Sequence, residues 1–201
     1  MKRTYSKKIT GAVLGVMALS GLFFVPVAQA ATQDTTINST IGSVLSLFTV
    51  SPSTVDVSVT PTAAGAQSIA GNTVTVSTNG PGYTLQLSDK DANNNLVSGG
   101  NSIAPGTGTL ASPAALTSGQ WGFRVDGVGG FGNGPTSAVS NGALSATTFA
   151  AVPPLASPAT IRNTSASASN EATTFWYSVA ANTGQASGTY TDTVTYTALA
   201  K

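Results

Sequence analysis

Apolar and hydroxylated residues take turns along most of this chain, and that two-residue rhythm restricts it to β-structure. Successive side chains of a strand point to opposite faces, whereas a helix groups its apolar residues at steps of three and four. Val55, Val57 and Val59 alternate with Thr54, Asp56, Ser58 and Thr60 until Pro61 stops the run. Val74 and Val76 alternate with Thr73, Thr75 and Ser77, and Tyr83, Leu85 and Leu87 with Thr84, Gln86 and Ser88. Between these two runs lies Asn79-Gly80-Pro81-Gly82, a turn cluster that predicts a β-hairpin.

The same rhythm returns further on. Trp121, Phe123 and Val125 share a face opposite Arg124 and Asp126, and an Arg124–Asp126 pair on that outer face is expected to be exposed and worth little. Residues 159–163 make a short candidate strand. In residues 173–180, Phe175, Tyr177 and Val179 face one way and Trp176 the other. In residues 189–197, Tyr190, Val194 and Tyr196 share a face that Asp192 interrupts. Residues 37–50 fit either period, but their Thr, Ser and Gly42 favour a strand. Residues 98–120 and 127–158, rich in Gly, Ala, Ser and Pro, predict long loops or short irregular strands. The expected fold is all-β: a single antiparallel, Ig-like β-sandwich of about seven to nine strands. A membrane barrel is disfavoured, because the aromatic residues do not recur as girdles at strand ends.

Residues 1–30 read as an export signal. Lys2, Arg3, Lys7 and Lys8 precede an apolar run ended by Pro26, and Ala28-Gln29-Ala30 offers small side chains at Ala28 and Ala30 for cleavage. Residues 31–201 are then the β-domain. Removing the signal leaves Lys90, Arg124, Arg162 and Lys201 against seven acids, a net charge of 4 − 7 = −3. Four scattered cations form no basic stripe, so nucleic acid is excluded as a partner. No second apolar run approaches membrane-spanning length. The chain contains no Cys, so stability has to come from the core, without disulfide staples.

It also contains no His, and Glu171 is its one Glu. A Ser or Thr nucleophile needs an activating base, and paired carboxylates need to face each other across a cleft; neither is visible, so no enzyme is expected. Asp192 sits among apolar neighbours, where burial raises a carboxyl pKa unless a backbone or hydroxyl group binds it. Asp89, Asp91, Asn93 and Asn95 place oxygens at alternate positions and imitate a calcium loop. Position 12 is Gly100 rather than a closing Glu, and position 6 is Asn94 rather than Gly, departures that favour a self-capping polar turn. Calcium is thus the one cofactor in question. Trp176, with Tyr177 beside it, is the candidate ligand-binding position, suited to stacking on a sugar or anchoring a protein contact; the competing expectation is burial of both faces of its strand.

Gly188-Thr189-Tyr190-Thr191-Asp192-Thr193-Val194-Thr195-Tyr196 resembles the closing strand of exported bacterial β-sandwich families. Spore-coat-U-type and fimbrial-like subunits end in a similar G-x-Y-x-D-x-V run. WxL-type cell-wall proteins have a similar closing strand and an earlier glycine–aromatic strand to which Gly82-Tyr83-Thr84-Leu85 is similar. The fimbrial cysteines and the W-x-L tripeptides are absent. The resemblance implies a secreted or cell-surface structural or adhesive role in a bacterial extracellular matrix, exercised through strand edges or surfaces. The partner would be a glycan, a cell-wall component, a protein or a second copy, with residues 35–50 available to pair in trans. The alternative is a carbohydrate- or cell-wall-binding module.

Overall fold

The computed structural model describes residues 36, 38–132 and 136–201, with residues 46–49 described by backbone alone. The chain divides into two units, Met1–Thr40 and Ile41–Lys201. The signal segment, with Ala28 and Ala30, lies outside the described residues, and all the strands below belong to the second unit. Among the described residues no helix is long and apolar enough to cross a membrane.

The architecture is all-β. Among the described residues twelve strands follow in chain order: β1 (Leu45–Ser51), β2 (Ala66–Thr78), β3 (Tyr83–Asp89), β4 (Leu96–Ser98), β5 (Asn101–Pro105), β6 (Ala114–Ala115), β7 (Gln120–Arg124), β8 (Val139–Gly142), β9 (Thr148–Phe149), β10 (Ala159–Asn163), β11 (Ala168–Ala181) and β12 (Val194–Ala200). The larger sheet runs β1-β2-β11-β7-β5-β4, with β8 also paired to β2. A second sheet is β10-β3-β12, and β6 and β9 form a small ribbon. The expectation of seven to nine strands falls short, because residues 98–120 and 127–158 contain short strands, the second of the two arrangements expected for them. The purely antiparallel expectation also fails, since β5 and β7 pair in parallel.

Alternation decides which side chains meet. Val74 and Val76 of β2, Phe123 of β7 and Phe175 and Tyr177 of β11 share one core with Tyr83, Leu85 and Leu87 of β3 and Ile161 of β10. The inward faces of the two main sheets therefore bury each other. Each large apolar side chain removed from water contributes about 1.5–3 kcal/mol, which is the main stabilising term in a chain without disulfides.

The 79–82 turn corrects the hairpin expectation. β2 pairs with β1 and β11, while β3 pairs with β10 and β12. The turn therefore carries the chain from one sheet to the other. Apolar residues on both flanking runs satisfy either arrangement, and the competition is decided by β11, which lies along the whole length of β2. Asn79 fixes the crossing: its side chain accepts from the Val44 N–H at 2.6 Å and donates to the Gly42 carbonyl at 2.9 Å. Gly82 has φ +139°, and its backbone approaches Thr164 so closely that a Cβ has no room.

Val55, Val57 and Val59 are also extended, and they rest against the core, yet they join no ladder. Side chains hold this segment instead: Ser68 Oγ donates to the Ser58 carbonyl at 2.6 Å, and Thr60 N–H donates to Asn141 Oδ1 at 2.6 Å.

One polar chain crosses between the sheets. The Tyr177 and Tyr196 hydroxyls lie 2.6 Å apart, and Tyr196 donates to Asn72 Oδ1 at 2.9 Å. Desolvation raises both tyrosine pKa values, so the pair stays neutral over the ordinary pH range. Tyr196→Phe leaves the buried Asn72 oxygen and the Tyr177 hydroxyl short of a partner. It should lower unfolding free energy in urea by about 1–2 kcal/mol without changing the far-UV spectrum.

Candidate functional site

Two places concentrate the residues singled out by sequence: the outer face around Trp176 and the acidic turn after β3.

Trp176 is half-buried, whereas Tyr177 is buried at 7 % relative exposure. Tyr177 belongs to the core, with its hydroxyl committed to Tyr196, so its placement beside a surface site is corrected. Trp176 stands opposite Gly71 on β2 and Arg124 on β7. A Cβ on Gly71 would lie 2.8 Å from the indole ring; glycine makes the room in which the ring lies over β2. Along the same face, Ile69, Leu116, Phe149 and Ala180 form a second apolar cluster, against which Trp176 packs. Segments 114–116 and 148–150 thus cover this end of β11, and the indole emerges at the edge of the cover.

Beside it runs a groove of about 320 Å³ whose walls include Trp176, Thr174, Asp126, Thr136 and Arg162. Its charged members are already engaged. Arg162 pairs with Glu171 at 2.7 Å. Arg124 pairs with Asp126, contrary to the expectation of an exposed pair: its side chain is 8 % exposed. Arg124 also donates to the Phe131 carbonyl at 3.1 Å and the Thr148 carbonyl at 3.3 Å, and lies over the Phe131 ring. Asp126 in turn accepts from the Thr136 N–H at 2.7 Å and its hydroxyl at 2.9 Å. A pair fixed this way anchors the 127–158 segment, and removing one partner strands a charge in low dielectric. Composition hid this role because the covering segment has no periodic pattern.

The acidic turn is a ladder of self-caps. Asp91, Asn93 and Asn95 N–H groups donate to Asp89 Oδ1, Asp91 Oδ1 and Asn93 Oδ1 at 3.1, 2.7 and 3.3 Å. Asn94 pins the loop to the body, accepting from Trp121 Nε1 at 3.0 Å and donating to the Val152 carbonyl at 3.3 Å. The calcium-like spacing thus builds the polar turn, with Asn94 turned to anchoring. Among the described residues no three acidic side chains converge as a ready metal cage.

Sequence spacing did not bring Asp192 to this turn, but strand register does. Val194 pairs with Asp89, and Lys90 N–H donates to the Thr193 carbonyl at 3.0 Å, which brings Asp192 to the start of the acidic turn. Asp192 Oδ1 accepts the Thr193 N–H at 2.7 Å, as expected of a carboxylate binding neighbouring backbone. Burial, with the nearby Asp89 and Asp91 charges, pushes its pKa up to about 6 despite that hydrogen bond.

Comparison with protein-family models, curated proteins and solved structures returns no match.

A carboxyl whose folded pKa exceeds its unfolded value binds more protons folded than unfolded, so its contribution weakens stability as pH rises through the interval between the two. For Asp192 that interval runs from 3.8 to about 6. Asp192→Asn keeps the oxygen facing Thr193 and removes the charge. In chelator-containing buffer it should be more stable than wild type at neutral pH, by about 1 kcal/mol after discounting for solvent screening. The gap should close toward acid, as read by thermal melts across pH.

Proposed function

We propose that this chain is a secreted or cell-surface structural or adhesive protein of bacterial type, an Ig-like sandwich that works through a sheet edge. The observation that carries this reading is the position of β12. It ends the three-stranded sheet with β3 as its ladder partner, and among the described residues no strand pairs its other side. Lys90 N–H bonds the Thr193 carbonyl, and Lys201 N–H bonds the Gly82 carbonyl at 3.1 Å. Odd-numbered residues of β12 therefore turn their backbone groups to β3, and even-numbered ones offer theirs outward. Exposed Leu199 and the Thr-rich face add a low-charge surface. Such an edge is a template for another strand. The pairing of the two sheets' inward faces supports the Ig-like reading, and the closing-strand resemblance supports the export role.

The strand that sequence placed in trans, within residues 35–50, pairs instead inside the chain, as β1 on β2. Assembly through β12 leaves that pairing intact. Proline at an edge position whose N–H points outward removes a donor without breaking the internal ladder. The wild type should form polymers detectable by size-exclusion chromatography and negative-stain microscopy, and Ala198→Pro should abolish them while the circular dichroism stays that of the folded wild type. Persistent polymers in the variant, or a wild type that stays monomeric at high concentration, would count against assembly through this edge.

A second reading, a carbohydrate- or cell-wall-binding module, is favoured by the half-exposed indole of Trp176 beside its groove. An indole face stacks on the apolar face of a sugar ring. Trp176→Ala should then lose retention on cell-wall glycan resin by about tenfold, with unchanged folding; equal retention excludes this site.

A further inference from the structure

We infer that Asp89 and Asp192 form a binding site for a divalent cation of the calcium class, at the end of the β3–β12 ladder. This site is distinct from the β12 edge and independent of the assembly reading.

Residues 89 and 194 pair, and the Lys90–Thr193 hydrogen bond continues the same register one step on. Asp89 closes β3 and Asp192 lies two residues before the start of β12, so the end of this ladder brings the two segments side by side, while Lys90 is exposed. Asp89 has 0 % relative exposure. Its Oδ1 holds the Asp91 N–H, whereas its Oδ2 is buried with no hydrogen-bond partner. Asp192 repeats the pattern across the ladder: Oδ1 holds the Thr193 N–H, and Oδ2 is buried with no partner.

Two carboxylate oxygens withdrawn from water without a donor are costly, and among the described residues the cations are placed elsewhere. Arg124 and Arg162 are committed to Asp126 and Glu171, and Lys201 Nζ donates to the Thr164 carbonyl. A bound cation would satisfy both oxygens at once. The available donors are all oxygen, which suits a hard ion. Two carboxylates on separate segments, with waters completing the shell, suit the irregular six-to-eight coordination of calcium better than the strict octahedron of magnesium. Asp91 adds negative charge beside the pair, and Asn94, locked to Trp121 and Val152, holds the loop that carries it. The carboxylate count points to weak binding, with Kd on the order of 10⁻⁴–10⁻³ M.

The test uses the full folded chain, stripped with a chelator and then titrated with calcium chloride, followed by calorimetry and thermal melts. One equivalent should bind, and the melting temperature should rise by about 3–5 °C at a few millimolar calcium, with a smaller rise in magnesium. Asp192→Asn, which keeps the Thr193 hydrogen bond and the side-chain shape, should remain folded by circular dichroism and lose the calcium-dependent shift. Asp56→Asn, at an exposed carboxylate of another segment, should keep it. A wild-type melting temperature indifferent to calcium, or equal calcium shifts in wild type and Asp192→Asn, would overturn the site. Stability that follows pH but ignores calcium would identify a shared proton in place of the metal.

Discussion

The C-terminal half of strand β11 is covered on both faces over Tyr177–Ala181 and paired on both edges over Trp176–Ala180, and that double burial sets the position of almost everything else. One face sends Phe175, Tyr177 and Val179 into the core between the sheets. The other carries Ser178 and Ala180, both at 0 % exposure, beneath the 114–116 and 148–150 segments. Its edges are filled by β2, from Ala66 to Thr78, and by β7. Where the cover lies closest, this second face carries small side chains, and a buried hydroxyl among them needs hydrogen-bond partners. Ser178 meets that need by donating to the Ser68 carbonyl at 3.1 Å and accepting from Gln67 Nε2 at 2.9 Å. Because β11 occupies one edge of β2 along its whole length and β1 takes the other beside the turn, β3 is forced into the second sheet.

Secondary structure was legible in the residues at most of the clean alternations. The β2, β3, β7 and β11 segments, and the face assignments of Trp121, Phe123, Phe175 and Val179, follow from period two alone. Partner choice was not legible. Asn79–Gly82 has the composition of a hairpin turn, but turn chemistry is local and cannot register that β11, about a hundred residues on, competes for the same strand edge. Val55–Val59 shows the reverse failure: its alternation reports a half-buried surface, and burial against a core does not require a ladder. The β5–β7 parallel pair was hidden because each strand contributes two residues to it, too few for a pattern.

The candidate sites divide in the same way. That Trp176 faces away from the core was readable, but how far it is covered depends on Leu116 and Phe149, which lie in segments without rhythm. Arg124 looked like a surface cation because its strand alternates. It is buried because those segments fold back over the outer face and bring the Phe131 and Thr148 carbonyls to its guanidinium. The Asp89–Asn95 turn was found by spacing, yet its closest electrostatic neighbour, Asp192, lies roughly a hundred residues away and arrives through register.

A chain with no disulfides and few charges has limited means of holding two long irregular segments against a sheet. Here the 127–158 segment and the acidic turn after β3 are held by buried polar anchors keyed to strand positions. Gln67 Oε1 accepts both the N–H and the hydroxyl of Ser145 at 2.9 Å, Arg124 grips 131 and 148, and Trp121 grips 94. Such anchors add little net free energy, because the same groups hydrogen-bond water in the unfolded chain. They discriminate strongly against misplacement, since a shifted segment leaves each anchor buried and unpaired. The apolar core accordingly supplies the stability, and the anchors select which covering arrangement is adopted. Asp89 and Asp192 break that rule, each keeping one oxygen satisfied and one not. Arg162 Nε is likewise buried without a partner, but Asp89 and Asp192 place two unmatched carboxylate oxygens on neighbouring segments, an arrangement that an ion from outside the chain would complete.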